Sequence, residues 1–262
     1  MVKTRLIPVL YILNGFIVRS EGFKIHQNIG NVINQAQRYN EWNVDELIYI
    51  DITREGTHNL QRDDHRVESY SDIHEIITRI GAVCFMPLTF GGGIRNVDDA
   101  QLRIRLGADK VTLNTAAIND PGVVSEIAKR YGSQAVVVSV DYRVIKGQPV
   151  VHSNFGRDNT GMAVVDWVRE CADRGAGEIL LNSIDRDGKA CGYDLKTIAA
   201  VVAASRIPVI ACGGASEFHD FVEVVRETGV SAVAAGNIFH FTERSYPRAK
   251  ELMKREGINV RT

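Results

Sequence analysis

Cysteine is scarce and unpatterned in this chain: Cys84, Cys171, Cys191 and Cys212 are scattered, without a C-x-x-C pair or a histidine at metal-ligand spacing. Neither a disulfide framework nor a cysteine zinc site is indicated, and this is the usage of core thiols in a reducing cytoplasm. Neither sign of charge dominates, with 31 Lys and Arg against 32 Asp and Glu, a net charge of -1. No broad basic field is available for nucleic acid or an anionic membrane, so a small molecule or another protein is the expected partner. The apolar run 6–18 is broken by Pro8 and by the turn signal Asn14-Gly15, and no small-residue cleavage site follows. It is therefore a first strand with a following hairpin and not a signal-peptide segment. Linkers, low-complexity tracts and charged tails are missing as well.

What is present is a soluble globular composition, 45% hydrophobic and 24% charged, over 262 residues. That length suits one large α/β domain spanning 1–262. Short β-rich apolar runs at 6–12, 47–51, 83–90, 110–114, 135–141, 178–182, 209–212 and 232–235 alternate with amphipathic stretches. Eight such strands separated by helices predict a parallel sheet, and closing it gives a (β/α)8 barrel, although periodicity alone also allows an open doubly wound sheet. An internal repeat favours the barrel. Gly92-Gly93 recurs as Gly213-Gly214 after 121 positions, and DITREG at 51–56 recurs as SIDRDG at 183–188 after 132. Two half-barrels of four βα units each account for both shifts.

Glycine-rich turns entering helices leave backbone N–H groups free for an anion. One set is Gly92 and Gly93 with Asn114 and Thr115; the other is Gly213 and Gly214 with Gly236 and Asn237. Each pairs the loops after two adjacent strands, which predicts two phosphate grips and a phosphorylated or bisphosphorylated ligand. Asp187 and Gly188, from the second echo, are assigned to the same phosphate-binding set. The polar stretch 56–70 is too long for an ordinary βα loop. Its His58, Asp63, Asp64 and His65 are taken as solvated residues in preference to a metal site. Neither metal nor cofactor is expected. Trp42 and Trp167 fall on amphipathic helices as packing anchors, and His240 is divided between a structural role and a place at the second phosphate end.

The segments FGGGI, LGADKVTLNTAAI, YGSQAVVVSVD, NTGM, RGAGEILLNSIDRDG, GYD and INVR, in that order, resemble the cyclase subunit of imidazole glycerol phosphate synthase over essentially the whole chain. The resemblance implies a barrel that receives ammonia from a glutaminase docked at its N-terminal face, in a heterodimer, and uses it at the opposite mouth on a bisphosphorylated ribulosyl formimino nucleotide. It implies two catalytic carboxylates, of which Asp141 is one. Tyr11 stands where the other Asp belongs. Phenol, with a reference pKa near 10, is no equivalent base. Arg19 and Ser20 replace the family's Lys and Gly, and Asn237 replaces a small hydroxyl residue. The family's charged ammonia gate is matched by Arg5, Glu46, Lys110 and Glu178, with Asp109 beside it as a partner contact. Arg5 and Tyr11 share parity on one strand, about 20 Å apart at about 3.3 Å per residue; Glu46 and Asp51 do not share parity.

An intact gate with an altered mouth implies an ammonia-receiving subunit whose ring-closing chemistry is lost or changed. Such a paralogue would supply nitrogen for acetamidino groups on bacterial surface sugars (lipopolysaccharide, O-antigen) alongside a third, ATP-using amidotransferase. The alternatives are a working cyclase of histidine biosynthesis and a non-catalytic scaffold that activates a glutaminase.

Overall fold

Parallel pairing runs through β1 (Arg5–Leu13), β4 (Leu47–Asp51), β5 (Leu88–Gly91), β6 (Lys110–Leu113), β7 (Val136–Ile145), β10 (Glu178–Ser183), β11 (Val209–Cys212) and β12 (Ala232–Ala235). β7 pairs with β10 and β12 pairs with β1, so the sheet closes into an eight-stranded barrel. The structure, a computed structural model, describes residues 3–54 and 72–261. The stretch 56–70, with His58, Asp63, Asp64 and His65, lies outside them.

Helices α1 (Val32–Glu41), α2 (Ile73–Val83), α3 (Val97–Arg105), α5 (Gly122–Tyr131), α6 (Val164–Asp173), α7 (Leu195–Ala204), α8 (His219–Thr228) and α9 (Ser245–Arg255) surround the barrel, and α4 (Thr115–Asn119) is a short extra turn after β6. Local sequence sets several of their ends. Asn31, Asn96 and Asp194 accept backbone N–H bonds at the starts of α1, α3 and α7, and Gly229 closes α8 in the left-handed conformation. The core has two shells. One lies between strands and helices; the other fills the barrel with Ile7, Val9, Ile48, Val137, Leu180, Ile210, Ala232 and Ala234.

Two expectations need correction. The run 83–90 is not one strand: Val83 ends α2, and β5 begins only at Leu88, after Pro87. The apolar stretch simply joins the last turn of a helix to a strand. The four cysteines are not all core thiols, since Cys191 is exposed and Cys84 half-buried. The hairpin expected after the first strand is present, with β2 (Phe16–Glu21) and β3 (Ile25–Asn31) following β1, and a second antiparallel excursion, β8 (Gln148–Ser153) and β9 (Asp158–Ala163), follows β7. The first opens with Asn14 and Gly15, both at positive φ, as its turn requires. The two excursions leave the first strand of each half-barrel, so the repeat extends beyond the glycine turns.

The two sequence echoes interlock. Gly92 and Gly213 share φ +94°, and each backs onto the chain end of the preceding strand in its own half, Gly92 on Asp51 and Gly213 on Ser183. A Cβ on Gly92 would run into the Asp51 carbonyl, and one on Gly213 would lie 2.8 Å from the Ser183 oxygen. Gly147, also at positive φ (+81°), has open space around it. Gly92→Ala is accordingly expected to cost about 3 kcal/mol or more, against about 1 kcal/mol for Gly147→Ala. Chemical denaturation of the two variants checks this; equal losses would contradict the backbone interlock.

Candidate active site

Inward-facing side chains stack in layers along the barrel axis because every second residue of a strand points inside. At the N-terminal end Arg5, Glu46, Lys110 and Glu178 meet. Arg5 donates to Glu46 at 2.7 Å and to Glu178, while Lys110 donates to Glu46 at 2.8 Å and to Glu178 at 2.7 Å. Each cation touches both anions, a closed ring of alternating sign. Thr89 adds a hydroxyl bond to Glu46 at 3.2 Å. Burial alone would raise the Glu178 pKa, but Arg5 and Lys110 hold it below the ordinary carboxylate value. Burial opposes the charge on Arg5 and Lys110 too, and the two glutamates outweigh it and raise both pKa values. Glu46 sits just before β4 and shares parity with inward Ile48 and Ile50, which explains its mismatch with Asp51. Asp109, exposed beside this ring, accepts a bond from the Leu88 amide at 2.8 Å.

Above the ring lies the uncharged inner shell, and above that a polar layer at the C-terminal mouth. β1 brings Tyr11, β7 brings Ser139 and Asp141, and β10 brings Asn182, with Asn182 level with Asp141 in the parallel register. Asp141 is buried and accepts a bond from Ser139 at 2.9 Å. Burial pushes its pKa up to about 7; the Ser139 bond opposes the rise and Asp187 adds to it. A carboxyl with that value exchanges a proton readily at neutral pH. Tyr11 accepts a bond from the Asn182 amide at 3.2 Å. Its phenol is held well above pKa 10, by burial first and then by Asp187, Cys212 and Asp141, so it stays protonated.

Two cavities open at this mouth. The larger, about 430 Å³, is lined by the first glycine turn (Gly92, Gly93), Asn114 and Thr115 together with Asp141, Asn182, Lys24 and Arg54. The smaller, about 230 Å³, is lined by Gly188, Gly213, Gly214, Gly236, Asn237, Asp187 and Arg19. All residues of the two expected grips are thus gathered, each set in its own cavity. The glycine turns do not open helices directly: α3 starts four residues after Gly93 and α8 five after Gly214. Helical starts at the grips come instead from α4 at Thr115 and from a 3-10 turn, Asn237–Phe239. Asn114 stands at the N-cap of α4 without a capping bond: its amide donates to the Ser139 and His152 carbonyls, and its Oδ1 accepts from the Thr115 hydroxyl at 3.2 Å.

Several side chains at the second end are occupied. Asp187 accepts from the Ser20 hydroxyl at 2.7 Å and the Phe23 amide at 3.3 Å, and Asn237 donates to the Ser20 carbonyl at 2.8 Å. His240 is not on the wall of the smaller cavity; burial and Arg38 lower its pKa to about 4. Trp167 is buried, and Trp42 packs edge-on to Tyr39 under the Arg38 guanidinium, as packing anchors do. Sequence reasoning missed Asn182, Phe23, Phe155 and Arg54 as wall residues. Parity with Glu178 was the one available signal, and it pointed to Asn182. Among the described residues no group of three or more His, Cys, Asp or Glu is placed to hold a metal, and no helix is long and apolar enough to cross a membrane.

The raised Asp141 value has a consequence for stability. An unfolded carboxyl titrates near pH 4, so between about pH 4 and 7 the unfolded chain has lost this proton while the folded chain retains it. Rising pH through that window therefore disfavours folding, and the loss is complete above it. Asp141→Asn is expected to be more stable than the parent at pH 8, with the gain vanishing by pH 4. Urea titrations at both pH values test this; a gain that does not depend on pH would contradict the buried carboxyl.

The family described as Histidine biosynthesis protein matches residues 5–245. The imidazole glycerol phosphate synthase subunit HisF of Hyphomonas neptunium is 42% identical over 262 residues, covering both chains completely. The HisF subunit of Caulobacter vibrioides is 40% identical over 263 residues, and that of Gluconacetobacter diazotrophicus 39% over 262; each alignment covers all of this chain and 97% of the relative.

Proposed function

This chain belongs to the HisF family of imidazole glycerol phosphate synthase subunits, and we propose that it is the ammonia-receiving subunit of a glutamine amidotransferase complex whose mouth chemistry differs from ring closure. A glutaminase docks on the N-terminal face, where Asp109 is exposed beside the charged ring. Ammonia enters through Arg5, Glu46, Lys110 and Glu178 and crosses the inner shell as the neutral molecule, since ammonium would be costly there. At the mouth it meets Asp141, which can accept a proton from the attacking amine, and a phosphorylated ligand held by a glycine turn.

The observation that carries this reading is the contrast between the ends. The ring below is complete and fully paired. Above, Asp141 faces a protonated phenol at Tyr11 in place of a second carboxylate. Ring closure needs proton transfers both to and from the substrate, and a phenol held above its ordinary pKa serves only as a donor. The nitrogen is assigned to acetamidino groups of surface sugars, completed by a third, ATP-using enzyme. Full-length identity of 39 to 42% with HisF relatives favours a second reading, a working cyclase of histidine biosynthesis that tolerates Tyr11.

The chain, purified with its glutaminase and given ammonium salt and the cyclase substrate, is expected to show no turnover at an ordinary enzymatic rate. Turnover at such a rate would establish the second reading. Gain of turnover in Tyr11→Asp would locate the difference at this one side chain.

A further inference from the structure

Tyr11 is the one residue, among those described, that lines both cavities of the mouth. The residue is 7% exposed, and its ring is held from two sides. Asn182 binds the phenol oxygen at 3.2 Å, and Phe23 packs edge-on at a centroid distance of 6.3 Å and an interplanar angle of 66°. Swinging the ring away would strip the Asn182 amide nitrogen of its acceptor in a residue that is 1% exposed and whose Oδ1 already lacks a partner. Unpaired polar atoms of that kind are expensive, so the ring acts as a fixed wall.

The smaller cavity is constrained from its other side as well. The Asn237 amide meets the backbone of Ser20 at both edges, donating to its carbonyl at 2.8 Å and accepting from its N–H at 3.4 Å. Gly188 packs so closely on the Ser20 carbonyl that a Cβ there would collide with it. The hairpin of β2 and β3 is thereby strapped to the second glycine turn, and the Asn237 side chain is spent on the strap. Each cavity nevertheless has its own glycine turn and its own cation, Lys24 and Arg54 in the larger and Arg19 in the smaller. Only the larger also has Asp141, Asn182 and Thr112 on its wall, with apolar walls from Phe23, Ile50 and Phe155.

From this geometry we infer that Tyr11 divides the mouth into two independent anion sites, so that the reacting ligand is a single phosphomonoester held in the larger cavity and not a bisphosphate spanning both. The inference rests on the reading of the glycine turns as phosphate grips and narrows the substrate class of that site. A molecule carrying one phosphate and a partly apolar body fills the larger cavity, with its reacting centre toward Asp141. The smaller cavity takes a separate small anion.

Calorimetry on the full chain decides the matter, using inorganic phosphate, ethyl phosphate and a series of straight-chain α,ω-alkanediol bisphosphates of increasing length. Two grips joined by one linker of matching length give avidity gains of roughly 10²-fold or more. The parent is expected to bind the monoester and to show no bisphosphate more than about twofold tighter, the statistical factor for two equivalent ends. Tyr11→Ala, or Tyr11→Asn if the alanine variant does not fold, is expected to gain at least about tenfold at one length. A tenfold preference for any bisphosphate in the parent itself overturns the partition while leaving the grips intact. Absence of phosphate and ethyl phosphate binding in the parent overturns the grips, and the partition with them.

Discussion

Four charges inside a barrel are tolerable only because they neutralise one another, and that constraint shapes the molecule from its lower end upward. Arg5 and Lys110 each bridge Glu46 and Glu178, so breaking any single contact still leaves every member with at least one partner. A ring of that kind does not strand a buried charge when one contact opens. It also fixes the register of β1, β6 and β10 against the start of β4. The same alternation of residues that turns Arg5 inward turns Ile7, Val9 and Tyr11 inward above it.

The upper end follows a different rule. There the twofold repeat has produced two glycine turns of shared φ, each seated on a strand end of its own half, and two strand excursions from corresponding strands. Yet the halves are not equivalent in use. The first hairpin reaches across to Asp187, Gly188 and Asn237 in the second half and straps its glycine end. Asp141, supplied by the second half, opens into the cavity of the first. A nearly symmetric frame thus carries an asymmetric mouth, and Tyr11 stands where the two regions meet.

Much of this was legible in the sequence. The strands 47–51, 209–212 and 232–235 were readable to the residue because β-rich runs bounded by turns have few alternatives. The ring could be assembled from family positions, and the structure brings all four members into contact. The second excursion was not legible, since β8 and β9 alternate weakly and β9 is largely polar and exposed. Nor was the Tyr11–Asn182 contact, which joins positions 171 residues apart. Parity places both inside the barrel, but only closure of the sheet brings β1 and β10 close enough to touch. Ser20, which stands where the family has Gly, proves to be the residue on which Asp187 and Asn237 both converge, a convergence that no local pattern encodes.

If the ring is one electrostatic unit, its members must be energetically coupled across the barrel. A double-mutant cycle on Arg5→Met and Glu178→Leu, read by chemical denaturation, measures that coupling most directly. Each single variant leaves an uncompensated charge and is expected to cost about 3 kcal/mol. The double variant removes both charges and should cost less than the sum by about 2 kcal/mol. Additivity to within about 0.5 kcal/mol would mean that the four charges are independent neighbours, with no closed ring at the base of the barrel.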